Sequence, residues 1–288
     1  MSVQLLESIV QLRDRLSPPR AAGLSIALVP TMGALHAGHG RLIALAREQC
    51  DVVVVSIFVN PLQFDRPDDL HRYPRTLEAD VSLCDELGVD VVFAPAAADM
   101  YAGVPSCVVE VHRIADHLCG RFRPGHFSGV ATVVMKLFQI VQPGRAYFGE
   151  KDAQQLAVIR HLVRDLNVPV SVEAVATVRE ADGLALSSRN RLLKPEERDL
   201  ALSLYRALSE ARREVSSGNR DVASVKTIAA GKIPLDVRLR LEYLEVVDPD
   251  SIQPVDRIDA PVLVAGALWV GATRLIDNLL CSPPADGR

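Results

Sequence analysis

Apolar runs at 25–30, 52–59, 89–94, 107–111, 145–148 and 168–175 alternate with segments of helical period at 40–49, 77–87, 130–141 and 152–166. The runs predict strands. Val52-Val-Val-Val-Ser-Ile-Phe-Val59 does not alternate polar with apolar, so both of its faces must be covered. That is the pattern of a parallel sheet layered by helices. Strand and helix in alternation predict a doubly wound, Rossmann-like α/β domain, whose ligands sit beyond the carboxyl ends of the strands. After Ser187 the pattern changes. Pro195, Glu196 and Glu197 mark a helix start, with proline in the first turn and acids at the positive end. This helix runs to about residue 215, and a shorter one at 222–230 stops at Gly231. Apolar runs at 239–247 and 261–270 follow, and Gly271-Ala-Thr273 turns the latter into 274–280 as a β-hairpin. A smaller α+β domain is therefore expected, with the boundary between about 176 and 190, which divides the chain into 1–180 and 181–288. The tail at 282–288 reads as frayed.

Composition narrows the class. A chain of 288 residues with 49% hydrophobic and 24% charged residues is an ordinary globular protein able to bury a large core. The longest apolar run, 261–272, is too short for a bilayer and reads as a buried strand. A net charge of −4 offers no basic field for long nucleic acid, so neither nucleic acid nor membrane is expected as a partner. Five scattered cysteines, none in C-x-x-C spacing, and an N-terminus that leads straight into a charged amphipathic stretch predict a reduced, cytoplasmic protein.

The chemistry concentrates in Pro30-Thr-Met-Gly-Ala-Leu-His-Ala-Gly-His39, directly after the first buried run. A strand that ends in a glycine-bearing turn and reopens as a helix gathers backbone N–H groups and a helix's positive end at one point, where phosphate is readily held. His36 and His39 stand at the mouth of that turn, and Gly38 between them is expected to keep the floor open for a base or ribose. Two histidines three apart would also suit one helix face or the start of a metal site, but zinc would want further ligands that this segment lacks.

Other strand ends are polar too. Asn60-Pro-Leu-Gln63 follows the second run; it satisfies a simple turn, and its amides equally suit a ligand bearing hydroxyl and carboxylate. Gly149-Glu-Lys-Asp-Ala-Gln-Gln155 follows the 145–148 run, where Lys151 offers a mobile charge and Gln155, four residues on, the same helical face. A mixed-charge surface helix start would satisfy these residues as well. Leu186-Ser-Ser-Arg-Asn-Arg191, at the expected domain junction, combines hydroxyls and guanidinium groups suited to a polyphosphate or to a solvated loop, with Gly183 as a flexible point. Arg123 and His126 mark one further candidate loop. No G-x-S-x-G, P-loop or G-x-G-x-x-G is present, and no covalent nucleophile stands out.

Taken together, Pro30 to His39, Phe58-Val-Asn-Pro-Leu-Gln-Phe64, Tyr73-Pro-Arg-Thr76, Phe148-Gly-Glu-Lys-Asp-Ala-Gln-Gln155, Val178-Arg-Glu-Ala-Asp-Gly183 and Leu186-Ser-Ser-Arg-Asn190 resemble the pantothenate synthetase family of H-x-G-H nucleotidylyltransferases, in the family's order and spacing. The resemblance implies condensation of (R)-pantoate with β-alanine to pantothenate, with ATP consumed to AMP and pyrophosphate through pantoyl adenylate, magnesium required, in a homodimer. It implies that Pro30, Thr31, Met32, Gly33, Ala34, Leu35, His36, Ala37, Gly38 and His39 line the ATP site, with His39 as proton donor. Gly149, Glu150, Lys151, Asp152, Val178, Leu186, Ser187, Ser188 and Arg189 would also hold ATP; of these Lys151, Ser187, Ser188 and Arg189 would act in catalysis with the two histidines. Gln63, Gln155 and Asn60 would hold pantoate, Gln63 lying near the β-alanine position. Asp80 falls where some members carry an acidic run linked to magnesium, but Ala79 interrupts that run here, and magnesium would enter on the ATP phosphates. A different H-x-G-H adenylyltransferase need not carry both glutamines, and a class I aminoacyl-tRNA synthetase would show a basic surface. A nucleotide-binding regulator would release no pyrophosphate.

Overall fold

The β-branched runs of the first half become the strands of a fully parallel sheet, the arrangement that suits side chains stiff at χ1 and buried on both faces. The computed structural model describes residues 2–284, so 285–288 of the tail lie outside the described residues. In chain order the first half runs β1 (Gln4–Leu6), α1 (Ile9–Ala21), β2 (Ile26–Thr31), α2 (Ala37–Gln49), β3 (Val52–Ile57), α3 (Pro67–Arg72), α4 (Leu77–Glu86), β4 (Val91–Phe93), α5 (Ala97–Met100) and α6 (Leu118–Phe122). Then come α7 (His126–Val141), β5 (Arg145–Gly149), α8 (Ala153–Asp165) and β6 (Ser171–Val175). The remainder is α9 (Arg198–Ser216), α10 (Val222–Ala230), β7 (Leu239–Val247), β8 (Val262–Val270) and β9 (Thr273–Cys281).

Contacts divide the chain into two units. The first comprises Met1–Val111, Arg123–Glu150 and Val158–Ala176; the second takes His112–Phe122, Lys151–Ala157 and Thr177–Arg288. Two short stretches of the first half thus belong with the second unit, a sorting that no change of composition marks.

In the first unit the strand order is β1-β4-β3-β2-β5-β6. The chain winds outward from β2 to β3 and β4, then returns to β5 on the other side of β2, so the direction of winding reverses between β2 and β5. Ligands of open α/β sheets bind at that reversal. The register Ala27↔Arg145 and Leu28↔Ala146, carried forward, brings Thr31 level with Gly149, so both chemically loaded loops leave the sheet side by side. Buried Val29, Val53, Val55 and Val92 pack with Leu42, Ile43 and Ala46 of α2 over one face.

One expected strand is absent and one unexpected strand is present. The 107–111 run forms no strand; Val109 and Val111 donate their N–H groups to Thr132 Oγ1 and Ser128 Oγ of α7 instead. Side-chain hydroxyls replace a ladder there. Conversely β1 was not foreseen, because three residues are too few to show a period; it adds to the edge of the sheet through Gln4↔Val91 and Leu6↔Phe93.

In the second unit the antiparallel sheet β7-β8-β9 carries α9 and α10. Leu204, Leu208, Ala211 and Val215, spaced as one helical stripe, bury against Val264, Leu268 and Leu275. A Cβ at Gly266 of β8 would lie 2.7 Å from Leu204 Cδ1, so the bare backbone there is what seats α9 on the sheet. The hairpin of β8 and β9 and the helix at 222–230 appear as the pattern predicts.

Candidate active site

The turn after β2 is built from the inside outwards. Thr31 Oγ1 donates to the Ser56 carbonyl at 2.8 Å and accepts from the Gly33 N–H at 3.1 Å. Gly33 has φ +80° and Ala34 has φ +52°, so two successive residues are left-handed, and Ala34 bears steric strain that glycine would not. Buried Asp80 of α4 holds the strained turn: Oδ2 accepts the Ala34 N–H at 2.9 Å, Oδ1 the Leu35 N–H at 2.8 Å, and Thr76 Oγ1 donates to Oδ2 at 3.2 Å. Both oxygens of the one candidate metal carboxylate are therefore committed to the backbone of the H-x-G-H turn.

His36 is the N-cap of α2, with φ −147°. Its Nδ1 accepts the Gly38 N–H at 3.1 Å, while His39 Nδ1 accepts the His36 N–H at 3.3 Å. The pair is a capping box in which imidazoles stand where serine and glutamate usually do. An Nδ1 that accepts carries no proton, so these bonds assign the Nε2–H tautomer to each neutral ring. Two N–H donors thus stand at the positive end of α2, with ring centroids 4.2 Å apart. The two histidines are cap and third residue, not one helical face. Gly38 is also required by its neighbour: a Cβ there would lie 2.9 Å from His36 Cε1 and 3.0 Å from Nδ1. It makes room for the imidazole.

The second loop is a 3₁₀ turn, Pro61–Gln63, capped by Asn60, whose Oδ1 accepts the Leu62 N–H at 3.3 Å. Asn60 is 1% exposed. Its Nδ2 donates to Gln63 Oε1 at 3.1 Å and to the Gly129 carbonyl at 3.0 Å, and Tyr101 donates its hydroxyl to Asn60 Oδ1 at 2.9 Å. Burial pushes the Tyr101 phenol up to about 12, so it remains a donor. Gln63 Nε2 lies 2.8 Å from Met32 Sδ, which ties this loop to the H-x-G-H turn. Asn60 thus orients Gln63 from below.

Arg123 and His126 belong to the same construction. His126 Nδ1 lies 2.7 Å from the Gln63 carbonyl, and Arg123 Nη2 donates to that carbonyl at 3.1 Å. Arg123 Nε also pairs with Asp65 at 3.0 Å. Burial alone would raise Asp65, but the hydrogen bond and charge of Arg123 outweigh it and hold the carboxyl below the usual range, so this tie is lost only as pH falls below the ordinary 3.8. At Gly129 a Cβ would come within 2.2 Å of the Leu62 carbonyl oxygen, so α7 presses directly on the loop. The dense run Arg121-Phe-Arg-Pro-Gly-His-Phe-Ser-Gly129 was the sequence signal for this support.

At the end of β5, a Cβ at Gly149 would meet nothing within 4 Å, so protein packing leaves that approach open. A 3₁₀ turn, Glu150–Asp152, intervenes before α8, so Lys151 and Gln155 are not four residues apart on one continuous α-helix. Lys151 and Gln155 belong to the second unit, as do Val178 and the Ser-Ser-Arg loop. Within that unit Gln154, next to Gln155, is buried and donates to the Ile114 and His117 carbonyls at 2.9 and 2.8 Å. Ser187 caps a 3₁₀ helix, Ser188–Leu192, through Oγ, which accepts the Arg189 N–H at 3.2 Å. Leu186 donates its N–H to the Val178 carbonyl at 2.9 Å, so these two residues are cross-chain neighbours. Gly183, read as a flexible point, is a packed turn at φ +101°, where a Cβ would lie 2.0 Å from the Tyr205 ring. Pro30, Thr31, Met32, Asn60, Gln63 and Asp80 thus share the first unit with both histidines, while Lys151, Gln155, Ser187, Ser188 and Arg189 share the second.

Residues 4–280 match the family model for pantoate-beta-alanine ligase. A pantothenate synthetase of Moorella thermoacetica is 51% identical over 278 residues, which cover 96% of this chain and 98% of that one. Pantothenate synthetase 1 of Bradyrhizobium diazoefficiens is 50% identical, with 97% and 99% covered. Among solved structures, pantothenate synthetase from Thermus thermophilus superposes with a TM-score of 0.92 at 45% identity, covering 98% of this chain and 100% of that one. A pantoate-beta-alanine ligase from Francisella tularensis, complexed with beta-gamma ATP and beta-alanine, gives 0.79 at 35% identity, with 97% and 98% covered.

The Gly38 contact separates activity from stability. Gly38→Ala should change the melting temperature little, since alanine's helix preference over glycine, about 1 kcal/mol, offsets the loss of the His36 cap bond, also about 1 kcal/mol. It should nevertheless lower turnover by roughly tenfold or more, because the displaced His36 ring no longer presents its donor. Parallel thermal melts and rate measurements check this; a variant as fast as the parent would sever Gly38 from the imidazole.

Proposed function

The chain belongs to the pantoate–β-alanine ligase family, and from that premise we propose how its residues divide the reaction. The reaction is the ATP-dependent condensation of pantoate with β-alanine to pantothenate, AMP and pyrophosphate. One observation carries the assignment of roles: the reciprocal cap that sets two Nε2–H groups at the positive end of α2, at the sheet's point of reversal.

The pantoate carboxylate attacks the α-phosphorus of ATP in line, the bond to the bridging oxygen breaks and pyrophosphate leaves, giving pantoyl adenylate. The neutral amine of β-alanine then attacks the acyl carbon, loses a proton, and AMP departs with the electron pair of the cleaved acyl–oxygen bond. Charge spreads over phosphate oxygens in the first step, and fixed donors lower its barrier most when aimed where that charge grows. His36 and His39 supply Nε2–H hydrogen-bond donors to the growing phosphate charge; for His39 to release a proton as well, its ring would first have to take one up at Nδ1. Lys151, Ser187, Ser188 and Arg189 supply the second set from the smaller unit, and backbone from Pro30 to Gly38 with Gly149, Glu150, Asp152, Val178 and Leu186 lines the nucleotide. Gln63, oriented by Asn60, and Gln155 hold pantoate through its hydroxyl and carboxylate. The adenylate is open to hydrolysis, and we read the smaller domain, 181–288, as the lid that keeps water away.

Magnesium suits this site as the companion of the triphosphate. Asp80 is committed to the turn, and among the described residues no three His, Cys, Asp or Glu side chains gather as a metal cage would need. Bound with the nucleotide, the ion would supply charge neutralisation. We place the enzyme in the cytoplasm, where five free thiols suit a reducing compartment. We also assign it to a homodimer, in which a second copy would cover exposed apolar residues such as Val104 and Val108.

Pyrophosphate release from ATP, measured across a panel of small hydroxy acids, tests the reading as a whole. Pantoate alone should release pyrophosphate, and sustained turnover should require β-alanine; release that ignores pantoate would point to another adenylyltransferase. His39→Ala and Lys151→Ala, with folding intact, should each lower the rate by on the order of 10²–10³, and near-parental rates would remove their roles. Gln63→Ala should raise KM for pantoate much more than KM for ATP, with equal effects on both counting against its assignment. Sedimentation of the parent chain should give twice the monomer mass.

A further inference from the structure

We propose that Asp277 and Asn278, neighbours on β9, are positioning residues that fix Lys151 relative to the loops carrying Val178, Leu186 and Ser187. The proposal rests on the reading of Lys151 as a phosphate-binding group. Every contact in it lies within the second unit.

Asn278 Nδ2 donates to the Lys151 backbone carbonyl at 2.9 Å. That bond grips the main chain of the residue whose ammonium must be aimed, in a 3₁₀ turn too short to orient it alone. Asp277 reaches a different segment. Its two oxygens receive Arg179 Nη1 at 2.6 Å and Nη2 at 2.8 Å, a bidentate pair with an aspartate only 5% exposed. Arg179 also donates to the Gly183 carbonyl at 3.0 Å and lies over the Tyr205 ring, 4.7 Å from its centre. It thereby closes the hairpin in which Arg179 bridges Ala185, and beyond that bridge Leu186 pairs with Val178. Asn190 Nδ2 extends the tie by donating to the Ala185 carbonyl at 3.0 Å.

Adjacent side chains leave a strand on opposite sides, and β9 is an edge strand, so two successive residues are free to hold two different segments. The two are also braced against each other, since the Asn278 N–H donates to Asp277 Oδ1 at 2.8 Å. Lys151, Ser187, Asn190, Tyr205 and Asp277 meet around one cavity of about 20 Å³, a space near that of a single water. The lysine and the phosphate loop are thus coupled through two residues of one strand, neither of which stands in a recognisable motif.

A double-mutant cycle on the full-length enzyme tests this, with pyrophosphate release and melting temperature read for each variant. Asn278→Asp keeps the shape and removes the donor; Asn278→Ala removes both. Each should lower kcat by on the order of 10- to 100-fold in the parent, the effect of a small misplacement of a catalytic group. In a Lys151→Ala background the same changes should cost less than about twofold, because there is no ammonium left to aim. Equal losses in both backgrounds, or no loss in the parent, would overturn the proposal, as would loss of the fold in both Asn278 variants. If Lys151→Ala itself is as fast as the parent, the reading of the lysine fails instead, and the two failures are told apart.

Discussion

A single buried carboxylate organises the chemistry of this chain. The Asp80 side chain accepts two successive backbone N–H groups and thereby holds Gly33 and Ala34 in left-handed conformations that the chain would not choose unaided. Strain of this kind persists only where surrounding bonds over-determine it. From that turn follow the place where α2 begins, the residue that caps it, and the orientation of both imidazoles. Remove the acceptor and the buried amides of Ala34 and Leu35 lose their partners, each at a cost of about 1–3 kcal/mol.

Much of the architecture was legible because period and burial speak directly through residue type. The run from Val52 to Val59, apolar but for Ser56, announces a strand covered on both sides, and the stripe Leu204, Leu208, Ala211, Val215 announces the face of α9. What stayed hidden has physical causes. The 107–111 segment has strand-like residues, yet the N–H groups of Val109 and Val111 are taken by hydroxyls from α7, which no local pattern foretells. The three residues of β1 gain their order from the neighbouring strand. At the candidate site, the residues could be singled out from the sequence but not what each packs against. Gly38 clears the His36 ring, Gly183 serves packing, and Asp80 serves a turn, because each depends on a three-dimensional neighbour that spacing does not reveal. Asp277 and Asn278 were invisible for the same reason: in sequence they are two polar positions in a strand of half-buried alternation.

The chemistry is also sorted unevenly between the units. The first holds its donors on backbone geometry, a helix end and a capped turn. The second holds them through side-chain bonds, with a bidentate ion pair at its centre. A buried ion pair adds little net stability, but its fork geometry specifies one arrangement among many.

The reciprocal cap has one more consequence, for the path of protons. Because each imidazole commits Nδ1 to an amide of its own helix start, neither ring is able to pass a proton from one nitrogen to the other without unfastening the first turn of α2. Each ring is a single-ended donor: the one proton it presents stands on Nε2, and it takes up a second only if the cap bond at Nδ1 opens. The charge state of either imidazole is thereby tied to the integrity of the helix start, and the local fold acts as the latch.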